Sequence, residues 1–150
     1  MRILNYDLNN LILQYKMSYA KYKDLPGGEK KENFDSSNNP PESKITHLQN
    51  FNHKKQLIES HKISLVYIYA DWCQPCKKIA GKYNQMSNNY ALDGVCLIAK
   101  ENVETGISPD VRGVPTFQFF KDGNYLKMDI VGADILSVEK RLNELLQNLN

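Results

Sequence analysis

The sequence predicts an α/β domain, a central mixed β-sheet flanked by helices on both faces, preceded by an amphipathic helical segment and a linker. Three observations carry this. Two runs of strand length, SLVYIYA at 64–70 and GVCLIAK at 94–100, are apolar on both faces, as the central strands of a covered sheet are. Between them Ile79, Tyr83, Met86 and Tyr90 recur at steps of three and four, the spacing of one helix face. PTFQFF at 115–120, the turn KDGN and YLKMDIV at 125–131 then read as a hairpin, because Asp-Gly accepts the positive φ angles that a tight connection needs.

Residues 3–23 place Leu4, Leu8, Leu11, Tyr15, Tyr19 and Tyr22 on one face of a helix. LPGGEKKENFDSSNNPPESK follows at 25–44, rich in Pro, Gly, Asn and Ser, and reads as a flexible linker. The expected organisation is therefore a helical segment at 1–24, a linker at 25–44 and a domain at 45–150. Within that domain ITHL is a short strand, and NHKKQLIESHK is a helix with Phe51, Leu57 and Ile58 available for packing. Strand 64–70, a helix from Cys73, strand 94–100, the turn-rich TGISPDVRG, the hairpin and a final helix at 135–148 complete it. Leu142, Leu145, Leu146 and Leu149 face inward on that last helix.

Composition narrows the function classes. With 150 residues the chain holds one domain and an appendage. Net charge is +2 and evenly spread: residues 1–44 carry seven Lys/Arg against six Asp/Glu, and residues 45–150 carry twelve against eleven. Such a balance argues against nucleic acid as a partner. No apolar run approaches the roughly 20 residues of a membrane span. The N-terminus lacks a signal-peptide core, so a reducing, intracellular, cytoplasmic compartment is the expectation. Lys far outnumbers Arg, and Asn, Ile and Tyr are abundant, the codon bias of an A+T-rich genome as in some protists and large DNA viruses. For a viral source the virion is a further location.

YADWCQPCKK at 69–78 carries two of the three cysteines, Cys73 and Cys76. Three readings are open: a redox couple, part of a metal site, or two small buried hydrophobes. A zinc site needs four ligands, but only Cys96 remains, mid-strand, and His47, His53 and His61 lie upstream without ligand spacing. Inert core cysteines would not need Trp72 and Pro75 beside them. Entering a helix, the first and fourth residues stand roughly 5 Å apart at Cα, within reach of a disulfide. At a strand-to-helix junction Cys73 faces unpaired backbone N–H groups, which stabilise the attacking thiolate. Pro75 stiffens the first turn without removing a helical hydrogen bond. Cys76, one turn in, is expected to be less exposed and suits the resolving role. A C-x-x-C near a βαβ pattern is itself a redox signature.

Residues 45–150 resemble thioredoxin. The resemblance rests on Ala70-Asp71-Trp72-Cys73-Gln74-Pro75-Cys76-Lys77, then Arg112-Gly113-Val114-Pro115-Thr116, Lys121-Asp122-Gly123 and Val131-Gly132, in family order at near-family spacing. It implies the thioredoxin fold and thiol–disulfide exchange on protein disulfides, with Cys73 as nucleophile and Cys76 as resolving thiol. It also implies a cis bond before Pro115, a free backbone at Val114 for a substrate strand, and an apolar substrate rim at Trp72, Val114, Pro115, Gly132 and Ala133. No cofactor beyond the redox-active Cys73–Cys76 disulfide is implied. Without a flavin or dinucleotide motif, electrons come from an external reductase or dithiol.

The chain departs from the family in places. Tyr67 stands where thioredoxins carry a buried aspartate beneath the cysteines, while the companion lysine survives as Lys100. A tyrosine hydroxyl with pKa near 10 is a poor proton acceptor at neutral pH, so Tyr67 and Lys100 are expected to tune Cys76, with the Tyr67 hydroxyl bonded near Lys100 or the sulfurs. Gln74 replaces a glycine next to Pro75, and that dipeptide tunes a redox potential bracketed by about −270 to −120 mV. Gly81 replaces a helix-kinking proline, so local bending or flexibility is expected. The stretch between Glu104 and Arg112 is short, its helix trimmed to a turn. Cys96 reads as a buried hydrophobe.

Two functions remain in view. One is the oxidoreductase. The other is a thioredoxin-like interaction module, tethered by its N-terminal helix and only weakly redox-active. The stripe at residues 3–23 packs on its own domain, on a partner or second copy, or, less well matched in charge, on a membrane surface.

Overall fold

The computed structural model describes residues 43–149, so the segment at 1–24 and all but the end of the expected linker lie outside the described residues. In chain order the elements are β1 (Thr46–His47), α1 (Phe51–Glu59), β2 (Ile63–Tyr69), α2 (Gln74–Tyr90), β3 (Cys96–Asn102), a 3₁₀ turn (Val103–Thr105), β4 (Thr116–Lys121), β5 (Asn124–Tyr125), β6 (Ile130–Val131) and α3 (Ile135–Gln147). The sheet runs β1-β3-β2-β4, with β5 and β6 both on the outer side of β4. β2 is central, parallel to β3 and antiparallel to β4. With a partner on each side and helices above and below, all of Ile63–Ile68 is buried, which is why this strand reads as a continuous apolar run.

Side chains alternate between two core layers. Leu65 and Tyr67 of β2, with Phe117 and Phe119 of β4, pack against Ile79, Tyr83, Met86 and Tyr90 of α2 and Val138, Leu142 and Leu146 of α3. Val66 and Ile68, with Leu97, Ala99 and Phe120, form the other layer beneath Ile58 of α1. Each fully buried aliphatic side chain contributes about 1.5–3 kcal/mol relative to leaving it in water. Of the expected leucines of α3, Leu142, Leu146 and Leu149 are buried, whereas Leu145 is half-buried.

Local signals set the helix ends. The Asn50 Oδ1 accepts from the His53 N–H at 2.9 Å and starts α1. Asp134 caps α3, accepting from the Ser137 N–H at 3.2 Å and the Ser137 hydroxyl at 2.7 Å. α2 continues as helix through Gly81. At the other end of the described chain, the Lys44 N–H donates to the Ser87 hydroxyl at 3.1 Å, holding the entry into β1 against α2.

The hairpin departs from expectation. The turn forms as read, with positive φ at Asp122 (52°) and Gly123 (84°). The return strand, however, is broken. Tyr125 pairs with Phe120 and Ile130 with Phe117, so four residues on one side face two on the other. Leu126–Asp129 bulge outward through Lys127, whose φ is 55°. The Met128 carbonyl freed by the bulge accepts from the Arg141 guanidinium of α3 at 2.8 Å. That partner lies thirteen residues away on another element, which hairpin patterning alone does not reveal.

Candidate redox site

β2 delivers the chain to the edge of the sheet, Ala70–Trp72 turn it, and α2 begins. Cys73 is the N-cap of that helix, with an extended backbone (φ −85°, ψ 109°). Its Sγ accepts from the Cys76 N–H at 3.1 Å, so the sulfur itself does the work that Ser or Asp does at ordinary caps. Cys73 and Cys76 are disulfide-bonded with Cα atoms 5.2 Å apart. Once reduced, the Cys73 sulfur keeps this N–H and the positive end of a 17-residue helix, both of which favour thiolate. The expected difference in exposure between the two is not found: each is 3% exposed. What separates them is position, one at the cap and one within the first turn. Gln74 and Pro75 between them are exposed.

Three other segments meet at this end of the sheet. The pairing of Tyr69 with Asn102 brings the 3₁₀ turn alongside, and the Trp72 indole N–H donates to Glu104 Oε2 at 3.2 Å. Trp72 is nonetheless 65% exposed, an apolar face held out to solvent by one polar anchor. The pairing of Ile68 with Thr116 sets the Val114–Pro115 peptide, which is cis, at the same edge. The Pro115 carbonyl then accepts from the Gly132 N–H at 2.7 Å and ties Gly132 and Ala133 to it. Gly132 has φ 107°, a conformation that side chains avoid. Val114 is half-buried and Ala133 exposed.

Beneath the cysteines the arrangement of Tyr67 corrects the expectation. Its hydroxyl donates to the backbone carbonyl of Cys76 at 3.2 Å, not to Lys100 or a sulfur. The ring stacks on Phe117 (5.1 Å, 11°) and tilts against Tyr83 (4.8 Å). Burial first, and the neighbouring Tyr69 second, push its pKa up to about 12. Lys100 Nζ instead lies over the Tyr69 ring, 4.9 Å from its centroid. The hydroxyl therefore braces the first turn of α2 and takes up no proton at neutral pH.

Replacing Tyr67 with phenylalanine is expected to lower stability by about 1 kcal/mol at pH 8, through one lost buried hydrogen bond. Because the folded pKa lies above the unfolded value near 10, the tyrosine's contribution is intact below pH 10 and is lost as pH rises toward about 12. Urea midpoints of wild type and variant should therefore converge and cross near about pH 11. Parallel curves from pH 8 to pH 12 would show that the hydroxyl is not held in its neutral form.

Cys96 lies in β3, 1% exposed, and burial pushes its thiol well above the ordinary range, so it stays protonated and takes no part in the site. The histidines are elsewhere: His53 Nδ1 accepts from the Gln49 N–H, and His61 Nδ1 lies 2.8 Å from the Leu57 carbonyl.

Sequence reasoning missed one buried polar group on the opposite face of the sheet. Lys54 of α1, 8% exposed, directs its Nζ to Glu101 Oε1 (2.9 Å), Ser108 Oγ (2.9 Å) and Gln118 Oε1 (3.0 Å). Glu101 is 1% exposed. The available signal was the strand's alternation: Glu101 shares a face with Leu97 and Ala99, an acid on an apolar row.

Comparison with known proteins agrees with this architecture. The family model described as Thioredoxin matches residues 44–146. A thioredoxin-like protein of Fusarium culmorum is 33% identical over 98 residues, covering 60% of this chain and 81% of its own. A thioredoxin of Coprinus comatus is 34% identical over 99 residues, covering 63% and 89%. Among solved structures, oxidised mitochondrial thioredoxin 3 of Saccharomyces cerevisiae superposes with TM-score 0.58 at 29% identity, over 67% of this chain and 94% of that one.

Proposed function

Since the chain belongs to the thioredoxin family and is a thiol–disulfide oxidoreductase, we propose that Cys73 is its attacking thiol and Cys76 its resolving thiol. The observation that carries this assignment is the capping geometry, which gives one sulfur, Cys73 Sγ, the Cys76 N–H in the first turn of α2. Reduced Cys73 attacks one sulfur of a substrate disulfide as thiolate. A Cys73–substrate bond forms, the substrate S–S bond breaks, and the departing sulfur takes a proton. Cys76 then gives up its proton and attacks Cys73 Sγ. The Cys73–Cys76 bond forms and the second substrate thiol leaves. Two electrons have moved from the pair to the substrate, and an external dithiol or reductase returns them.

The substrate in this reading is a protein disulfide on an extended segment. It lies across Trp72, Val114, Pro115, Gly132 and Ala133, with the Val114 backbone, not bonded into the sheet at this point, offered to it. Gln74 and Pro75 set the potential of the pair, and Tyr67 and Lys100 tune Cys76 through the helix turn and the ring below it. A reducing compartment suits this direction of electron flow, and no helix among the described residues is long and apolar enough to cross a membrane. The domain occupies 45–150, with 1–24 and 25–44 as appendage and linker.

A trapping experiment tests the order of the two thiols. Reduced Cys76→Ser incubated with a purified disulfide-bonded protein should accumulate a covalent one-to-one adduct that dithiothreitol cleaves. Cys73→Ser should accumulate none. Trapping by Cys73→Ser alone would reverse the assignment, equal trapping by both would overturn it, and no adduct with either would favour an interaction module instead.

A further inference from the structure

On the sheet face opposite the cysteines, the crossover from β3 to β4 contains only the 3₁₀ turn and irregular chain, so α1 is the only α-helix packed there among the described residues. A cavity of about 620 Å³ results. Its walls are Phe51 and Ile58 of α1, Ile107 and Val111 of the crossover, and Phe120 and Tyr125 of the hairpin. Polar side chains also line it, among them Lys54, Gln118 and Asp129. Five large apolar side chains are exposed among the described residues, and three of them, Phe51 (63%), Tyr125 (44%) and Val131 (68%), line this one groove. Exposure concentrated in this way marks a surface that something covers.

We propose that residues 3–23 of the same chain cover it, docking as a helix with the Leu4, Leu8, Leu11, Tyr15, Tyr19, Tyr22 face in the groove. The chemistry of the two surfaces matches along both. The leucines suit the apolar walls. The tyrosines combine an apolar ring with a hydroxyl suited to the polar side chains in the lining, Lys54, Gln118 and Asp129. Reach permits it. Residues 25–42 separate the segment from Ser43, and a chain of that length and composition spans about 25 Å on average and at most about 60 Å. A domain of this size is about 30 Å across. Tethering also selects the occupant. A segment joined by such a linker is present at an effective concentration in the millimolar range, so modest apolar contact holds it, whereas a second copy must compete from dilute solution. The groove's edge at Gly113 and Val131 adjoins Val114 and Gly132 in the chain, so the docked segment borders the substrate rim.

Hydrogen–deuterium exchange on the full-length chain tests the proposal. In the wild type, amides within 3–23 should exchange about tenfold or more slowly than the unstructured rate, equally at low and high micromolar protein. The pair Leu8→Asp/Leu11→Asp should abolish this protection. So should Phe51→Glu/Val131→Glu, whose two sites are both more than 60% exposed and leave the fold intact. Segment amides exchanging at the unstructured rate in the wild type would overturn the proposal. Protection that survives the groove variant would place the segment elsewhere and overturn it as well, and protection that rises with protein concentration would assign the groove to a second copy.

Discussion

Replacing Cys73 with serine is expected to reduce dithiothreitol-driven reduction of a protein disulfide to the uncatalysed rate. The loss should be on the order of 10³-fold or more, equivalent to at least about 4 kcal/mol of transition-state free energy. A hydroxyl at the cap preserves the hydrogen bond from the Cys76 N–H and so preserves α2, which isolates the chemistry from the fold. It does not ionise near neutral pH, and Cys76 cannot substitute for it. Cys76 lies within the first turn, its own N–H already committed to the Cys73 sulfur. Circular dichroism should show unchanged helix content, and turnover should fall to the rate without protein. A Cys73→Ser variant that retains a tenth of wild-type activity would place the reacting thiol elsewhere, and wild-type activity no better than the variant's would support the module reading.

The largest expected effect on stability lies on the far side of the sheet. Lys54→Met should lower the free energy of unfolding by about 3–5 kcal/mol, because it leaves the buried Glu101 carboxylate without a counter-charge. The three Nζ hydrogen bonds, to Glu101, Ser108 and Gln118, are lost together. The double variant Lys54→Met/Glu101→Leu should recover most of the loss, since two apolar side chains of similar volume bury no charge. Urea midpoints for wild type, both singles and the double separate the penalty of an orphaned charge from the worth of the pair. A single variant within about 1 kcal/mol of wild type would mean that water reaches Glu101. The disulfide packs on the other layer, so turnover per folded molecule should be unchanged.

Much of the redox site was legible because its parts are local. Cys73 caps α2 because a strand ends at Tyr69 and a helix begins at Gln74, and Pro75 sits where a helix tolerates it. The tight turn at Asp122-Gly123 was legible for the same reason, as was the reduction of the crossover after Glu104 to a turn. The hidden parts depend on partners far along the chain. Nothing near Tyr67 announces that its hydroxyl ends on the Cys76 carbonyl, because that depends on how closely α2 settles on β2. The equal burial of the two cysteines has the same origin. The broken return strand has its freed Met128 carbonyl met by Arg141, a partner on another element.

By itself the sequence determined the α/β class, the central strand, the start of α2, the bounds of α3 to within a residue and the position of the cysteine pair. Each of these rests on periodicity or on hydrogen bonds that close within a few residues. Only the tertiary structure decided which side of the sheet carries a buried charge, what that charge meets and where the surface stays open. Nothing in the sequence singles out Lys54 on its helix, and its three partners lie 47, 54 and 64 residues away. Whether a lysine is solvated or desolvated is a property of what finally packs over it, and that is settled only when strand register and helix docking are complete.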